Sequence, residues 1–279
     1  MPVTLDVVGK TMAPLTYEYT DREVILYALG VGAGTDELPF VYEQAPLKVI
    51  PTFGVVPAFP ALMGLNQLMT FNPMMLLHGE QRIVVKKPFP SKGKVTTTGS
   101  IKNIWDKGSG AVVVIDAETV DEKGDVLCLN TFGVFLRGEG GFGGERGPSG
   151  PRNVPPERAP DAVVEMATLP QQAAIYRLSG DRNPLHIDPN FAKMAGYDLP
   201  ILHGLCSFGH VARAVIQKFC GGDSDKLKEL EVRFAGPVFP GETLVTEMWR
   251  ENDTRILLQV KTAQRGEVCL SSGAAVIAS

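Results

Sequence analysis

The sequence predicts an α+β protein made of two similar halves, each an antiparallel sheet wrapped around a central helix. Four strand-like runs occur in each half, residues 205–219 carry an apolar helical face, and short motifs repeat at an offset of 149 positions. We expect subdomains at residues 1–137 and 161–279, joined by a linker at residues 138–160 that is rich in Gly, Pro and charged residues.

The first predicted element is a short helix after residues 20–23, a capping-box pattern, and Gly30 ends this helix. Residues 168–171 show the same pattern in the second half, where another short helix follows. Aligning residues 27–30 with residues 176–179 sets the offset of the repeat. Several motifs shared in the same order indicate an internal duplication.

The strand-like runs are rich in β-branched residues and are bounded by Gly, Pro, Asp or Asn. Such boundaries favour hairpins and therefore an antiparallel sheet. In the first half the runs cover residues 82–87, 94–104, 111–120 and 126–136. In the second half they cover residues 231–234, 243–250, 256–263 and 268–277.

The two predicted central helices differ. The apolar residues of 205–219 lie on one helical face, and a Gly pair ends that helix. Its counterpart, residues 55–77, contains Pro57 and Pro60 and cannot form one continuous helix. This segment is uncharged and rich in methionine. It is either ordinary core or an adaptable surface for an apolar ligand.

Composition narrows the class of protein. The net charge of −4 argues against a general nucleic-acid binder, which must neutralise phosphates. The uncharged residues 49–77 contain four prolines, which argues against membrane insertion. No C-x-x-C spacing is present, so we expect reduced thiols in an intracellular protein. The cysteines are Cys128, Cys206, Cys220 and Cys269.

The candidate catalytic motif lies within residues 176–192, Y-R-L-S-G-D-R-N-P-L-H-I-D-P-N-F-A. Because Pro184 enforces a bend, Asp181 and His186 are expected to face a common point, where they could hold one water molecule. Asn183 could hold the water or fix the carboxylate. The alternative is ordinary turn chemistry, since Asp and Asn often cap the backbone two residues on.

This motif resembles the signature of the R-specific enoyl-CoA hydratases, the hydratase 2 family, which is related to MaoC-like dehydratases. Further likeness lies in L-H-G-E-Q (77–81), D-K-G-S-G (106–110), G-G-F-G-G (140–144), I-L-H-G-L-C (201–206) and P-V-F-P-G (237–241). The resemblance covers nearly the whole chain and is greatest to the hydratase 2 region of peroxisomal multifunctional enzymes. The signature positions are Tyr176, Ser179, Gly180, Asp181, Asn183, Pro184, Leu185, His186 and Ala192.

The resemblance implies a tandem (double) hot-dog fold and reversible hydration of trans-2-enoyl-CoA to (3R)-3-hydroxyacyl-CoA in fatty acid β-oxidation. Asp181 and His186 would activate the water, although the sequence does not reveal which is the base. Gly204, at a helix start, would supply an oxyanion-hole N–H. At the repeat offset the first half carries Gly32 and Glu37 instead, so it is predicted to be a non-catalytic copy that shapes the acyl-chain pocket.

The resemblance also implies contacts with the substrate and no cofactor. Lys107 could face the CoA phosphates or be an ordinary solvated lysine, and Glu43 is expected to support the site. The spacing of His203 and His210 matches no zinc pattern, so no metal is predicted. The predicted substrate-binding residues are His78, Gly79, Lys107, Phe234 and Glu43.

The expected partners are an acyl-CoA substrate and a second copy of the chain, with no nucleic acid. The resemblance implies a peroxisomal location, or a cytoplasmic one if the protein is bacterial. The sequence ends in I-A-S (277–279) rather than the peroxisomal S-K-L. Two other functions stay open on this fold: an acyl-CoA thioesterase and a non-catalytic acyl-CoA-binding module.

Overall fold

A computed structural model describes residue 3, residues 5–44 and residues 46–278, so the C-terminal residue of the I-A-S tripeptide lies outside the described residues. Within that part of the chain, ten strands form one antiparallel sheet. They are β1 (Leu15–Tyr19), β2 (Leu76–Val85), β3 (Gly93–Asp106), β4 (Gly110–Asp121), β5 (Val126–Arg137), β6 (Ala162–Ala167), β7 (Leu227–Phe234), β8 (Thr243–Arg250), β9 (Arg255–Thr262) and β10 (Val268–Ile277). The α-helices are α1 (Asp21–Gly30), α2 (Leu38–Val41), α3 (Val55–Met63), α4 (Gln172–Tyr176), α5 (Pro189–Met194) and α6 (Gly204–Phe219).

The sheet order is β1-β3-β4-β5-β2-β7-β10-β9-β8-β6. Reading inward from either edge gives the same arrangement, because β1, β3, β4, β5 and β2 correspond to β6, β8, β9, β10 and β7. The halves join where β2 pairs with β7, from Glu80 opposite Arg233 to Val84 opposite Glu229. The chain is therefore an α+β protein with a tandem hot-dog fold.

Each half wraps its strands around its own helix. In α6 every residue from Leu205 to Ile216 is buried, and the helix packs against β6, β7 and β8. The shorter α3 packs against β1, β3, β4 and β5. Among the described residues, no helix is long and apolar enough to cross a membrane.

The predicted strands and α6 are confirmed, as is the interrupted segment 55–77, which forms α3 followed by two short 3₁₀ turns. The capping box of α1 is also confirmed, with the Thr20 amide donating to the Glu23 carboxylate at 2.9 Å. The capping box predicted at residues 168–171 is wrong, because no side chain in the described part of the chain caps α4. Thr168 instead donates its hydroxyl to the Glu242 carbonyl at 2.8 Å, so it ties β6 to the β7–β8 connection rather than capping α4.

The sequence analysis missed both edge strands, β1 and β6. They are the shortest strands of the sheet, with five and six residues. Each pairs on one side only, so more of its surface faces solvent and its apolar pattern is weaker.

A buried ion pair links the first half of the chain to α6. The Glu37 carboxylate accepts a hydrogen bond from Nε of Arg213 at 2.9 Å, and Arg213 also donates to the Val31 carbonyl at 2.9 Å. The two side chains are 10% and 5% exposed. Removing one partner of such a pair leaves the other charge uncompensated.

We expect Glu37→Gln to lower the free energy of unfolding by about 3 to 5 kcal/mol, measured by urea denaturation, because Arg213 stays buried without its counter-charge. The matched control is Glu251→Gln, since Glu251 pairs with Arg255 at the surface. That control should cost less than about 1 kcal/mol. Equal losses in the two variants would show that burial of the Glu37 pair is irrelevant to stability.

Candidate active site

The catalytic motif begins where α4 ends. One 3₁₀ turn, Arg177–Ser179, follows α4 and leads to Gly180, whose φ of 132° is a conformation that other residues rarely adopt. An added Cβ at Gly180 would meet no atom within 4 Å, so the backbone conformation alone requires glycine there. This reversal brings Asp181 close to the start of α6, where its carbonyl lies 3.2 Å from Nε2 of His203.

A second 3₁₀ turn, Pro184–His186, fixes the distance between the acid and the imidazole. Asp181 Oδ1 accepts from the Asn183 amide at 3.1 Å, and Asn183 Oδ1 accepts from the Leu185 amide at 3.0 Å. The Asn183 side chain is exposed and caps the turn. Asn183 therefore acts as an ordinary turn residue, and the turn positions the Asp181 carboxylate and the His186 imidazole.

Asp181 and His186 face each other in the structure. Oδ2 of Asp181 lies 4.0 Å from Nε2 of His186, and the side chains are 18% and 9% exposed. Nδ1 of His186 lies 2.8 Å from the Ile201 carbonyl. Because a carbonyl only accepts, Nδ1 carries the proton and Nε2 presents its lone pair to the space beside Asp181. One water molecule could bridge the two groups.

Burial keeps the His186 ring neutral. Desolvation lowers the pKa of His186, and the nearby Asp181 carboxylate opposes this effect. The site therefore pairs a neutral imidazole with a carboxylate. Such a pair can both accept a proton from water and return one.

The structure adds His203, to which the sequence analysis assigned no catalytic role. The His203 ring stacks on the His186 ring, with centroids 3.7 Å apart and planes inclined by 28°. Asp181, His186 and His203 each offer one carboxylate oxygen or ring nitrogen that could bind a metal ion, and these three atoms lie within 4.8 Å of one another. The signal in the sequence was the position of His203 directly before the glycine that begins α6.

Four further predicted residues lie together beside this pair. Gly204 begins α6, and a Cβ there would lie 2.8 Å from the Phe234 ring, so that ring packs directly on the helix start. The His78 ring packs edge-on against the Phe234 ring, with the two ring centroids 4.9 Å apart. At Gly79 the register of β2 against β5 shifts. Burial lowers the pKa of His78 to about 4, so this ring is also neutral.

Lys107 and Glu43 are not among these contacts. Lys107 follows β3, separated from β2 by β4 and β5, and its ammonium donates to the carbonyls of Arg146 and Pro148. Glu43 follows α2 and is exposed. The roles of both residues stay predictions, as does the expectation that no metal takes part.

Comparison with known proteins agrees with this architecture. The family described as MFE-2 hydratase 2 N-terminal domain matches residues 17–138, and the MaoC like domain matches residues 152–270. The chain is 44% identical over 281 residues to the probable enoyl-CoA hydratase 2 of Dictyostelium discoideum, with 97% of this chain and 95% of that protein covered. It is 46% identical over 275 residues to the peroxisomal multifunctional enzyme type 2 of Mus musculus, with 95% of this chain and 37% of that protein covered. The crystal structure of a MaoC-like dehydratase from Phytophthora capsici matches with a TM-score of 0.89 and 37% identity over 99% of both chains.

The fold and the arrangement around α6 define a MaoC-like double hot-dog protein. Within that class, the chain belongs to the enoyl-CoA hydratase 2 family. It spans nearly the whole Dictyostelium protein but only about a third of the multifunctional enzymes from Mus musculus and Neurospora crassa.

We expect Gly204→Ala to lower the free energy of unfolding by about 1 to 3 kcal/mol, because its methyl group would overlap the Phe234 ring. Phe234→Leu in the same chain should relieve the overlap. The double variant should then lose at least about 0.5 kcal/mol less than the sum of the two single losses. Chemical denaturation of all four proteins measures this coupling, and strictly additive losses would exclude it.

Proposed function

We propose that this protein adds water reversibly across the C2–C3 double bond of a trans-2-enoyl-CoA, giving the (3R)-3-hydroxyacyl-CoA of fatty acid β-oxidation. The observation that carries the proposal is the Asp181–His186 pair, set to share one water molecule beside the start of α6. Relatives named enoyl-CoA hydratase 2 support the same reaction.

The geometry accounts for both proton transfers. Water held between Asp181 and Nε2 of His186 loses a proton to the pair as its oxygen attacks C3. The pair then returns a proton to C2 on the same face, so atoms and charge balance over the cycle. General acid–base steps of this kind are typically worth roughly 10² to 10⁴ in rate. The two groups act as one coupled unit, and we assign the base to the pair rather than to either residue.

Attack at C3 moves negative charge onto the thioester oxygen. Gly204 opens α6, where backbone N–H groups lack a partner within the helix and the helix dipole favours an anion. We assign the oxyanion donor to the Gly204 amide, a contribution worth about 3 to 4 kcal/mol in comparable sites. His78, Gly79 and Phe234 then form the adjoining wall of the substrate cleft.

The two alternative functions are less favoured. A thioesterase also needs a base for the water and an acid for the leaving thiolate, so the Asp181–His186 pair by itself fits both reactions. The relatives named enoyl-CoA hydratase 2 and the intact G-D-x-N-P-x-H motif at residues 180–186 favour hydration. A non-catalytic binding module would not require the tautomer that Ile201 imposes on His186.

The proposal extends to assembly and location. We assign a homodimer, since the exposed edges β1 and β6 offer unpaired backbone groups, and gel filtration giving only a monomer would remove this part. We assign the peroxisome because several relatives bear peroxisomal names, with the cytoplasm as the location in a bacterium.

We expect Asp181→Asn and His186→Gln each to lower kcat at least about 10²-fold, because each removes half of the proton-transfer pair. The assay follows loss of enoyl absorbance from crotonyl-CoA while free thiol is measured in parallel. Asp198→Asn, the same change at an exposed carboxylate in the following loop, is the matched control and should retain activity.

Chiral analysis of the product from a medium-length trans-2-enoyl-CoA should give the (3R) alcohol. Release of one free thiol for each enoyl thioester consumed would establish the thioesterase instead. Tight binding without turnover, unchanged in the Asp181 and His186 variants, would establish the binding module.

We also propose that the methionine-rich segment of the first half borders the acyl chain. Met63, Met74, Met75 and Leu77 are exposed; Met75 directly precedes β2, and Leu77 lies in β2 next to His78. Adaptable methionine side chains suit an apolar ligand of variable length.

Met75→Trp should therefore lower kcat/KM for long-chain enoyl-CoA at least about fivefold more than for crotonyl-CoA, because the indole fills space that only a long chain needs. Val154→Trp, which places the same bulk at an exposed linker position, should leave the ratio unchanged. Equal losses on long and short substrates would refute the acyl-chain assignment.

A further inference from the structure

His203 is packed between two rings of the catalytic region. It is 1% exposed, its ring stacks on His186, and the Tyr176 ring meets it at a centroid distance of 4.9 Å. A ring held this closely has one orientation. Through the stack, it also restricts the plane in which the His186 ring lies.

The hydrogen bond of His203 fixes its tautomer. Nε2 of His203 lies 3.2 Å from the backbone carbonyl of Asp181, so Nε2 carries the proton and donates it. Nδ1 is then a bare lone pair, buried and without a partner among the described residues. The only N–H group of the neutral His203 ring therefore donates to the backbone carbonyl of Asp181.

The backbone of His203 determines where α6 begins. His203 is the N-cap residue, and its carbonyl accepts from the amides of Cys206 at 3.0 Å and Ser207 at 3.3 Å. Its neighbour Leu202 donates to the Val238 carbonyl at 2.7 Å, which anchors this segment to the β7–β8 connection. The amide that follows His203 is that of Gly204.

We propose that His203 is a positioning residue that holds the His186 ring, the Asp181 backbone and the Gly204 amide in one arrangement. This inference rests on the proposed hydration. His203 need not touch the substrate, because it acts through groups that do. Its loss should therefore lower kcat and leave KM nearly unchanged.

The charges around His186 give a second readout. Asp181 and His203 face His186, while Arg177 and Tyr176 act on His203. Desolvation lowers the pKa of His186, and burial holds the pKa of His203 well below its usual range. A smaller polar side chain in place of the His203 ring admits water beside His186. The pKa of His186 should then rise towards its ordinary value.

The direction of the pH effect follows from this change. His186 must be neutral to act in the pair, and it becomes protonated as the pH falls through its pKa. A higher pKa for His186 therefore moves the acid limb of the pH–rate profile to higher pH. A variant that only weakens the fold would leave this limb where it is.

The test compares His203→Asn with His210→Asn. His210 is equally buried on α6, but its bond is from Nδ1 to the Cys206 carbonyl, a position that an Asn amide can occupy. We expect His203→Asn to lower kcat at least about tenfold with KM within about twofold. His210→Asn should change neither by more than about twofold. His203→Gln, whose amide reaches towards the Nε2 position, should recover part of the lost kcat.

Proton NMR titration of the His186 ring completes the experiment. Its midpoint should rise by at least about half a pH unit in His203→Asn and stay unchanged in His210→Asn. A folded His203→Asn protein with wild-type kcat and midpoint would overturn the proposal, as would parallel losses in both Asn variants. If the wild-type protein leaves enoyl-CoA untouched, the proposed function fails, and the titration still decides whether His203 positions His186.

Discussion

The burial of α6 against the sheet is the constraint on which the site depends. Because twelve consecutive residues, Leu205 to Ile216, are buried, the helix can neither rotate nor slide, and its first residue has a fixed place. The oxyanion donor we assign to Gly204 needs that precision, since such a donor works only when it is aimed beforehand. The segment just before α6 is held by the hydrogen bond from Leu202 to the Val238 carbonyl. The carbonyl of Ile201 in this segment accepts from Nδ1 of His186 and so orients the ring.

The internal repeat places other residues at the two positions of the first half that correspond to Asp181 and His186. The position in the first half that corresponds to Asp181 is Gly32, where a Cβ would lie 2.6 Å from Nε2 of His210. An aspartate there would displace the buried side chains of His210 and Arg213, and the φ of 83° at Gly32 disfavours any residue but glycine. The position that corresponds to His186 is Glu37, which binds Arg213. Glu37 thus joins the first half to α6, and this ion pair helps to hold the helix that begins at Gly204.

Local patterns predicted much of this molecule. Eight strands, α1 and α6 followed from β-branched runs, a capping box and helical spacing, and the proline bend predicted that Asp181 and His186 face each other. The missed features depend on tertiary contacts. Strand β6 is short and lies at an edge, and Thr168 bonds a distant carbonyl that no local pattern reveals. The stack of His203 on His186 joins residues that the sequence separates by α5, so only the folded chain brings it into view.

The charge states of the histidines and of Asp181 determine what chemistry the site can carry out. Burial lowers the pKa of His78, His186 and His203, so these three imidazoles are neutral, and the Asp181 carboxylate faces the uncharged ring of His186. A neutral imidazole can donate or accept a hydrogen bond at a bound water without forming an ion pair with the carboxylate. The oxyanion donor that we assign to the Gly204 amide would meet the developing enolate with an N–H dipole rather than a full positive charge. A dipole that is aimed beforehand stabilises this charge without reorganisation during the reaction.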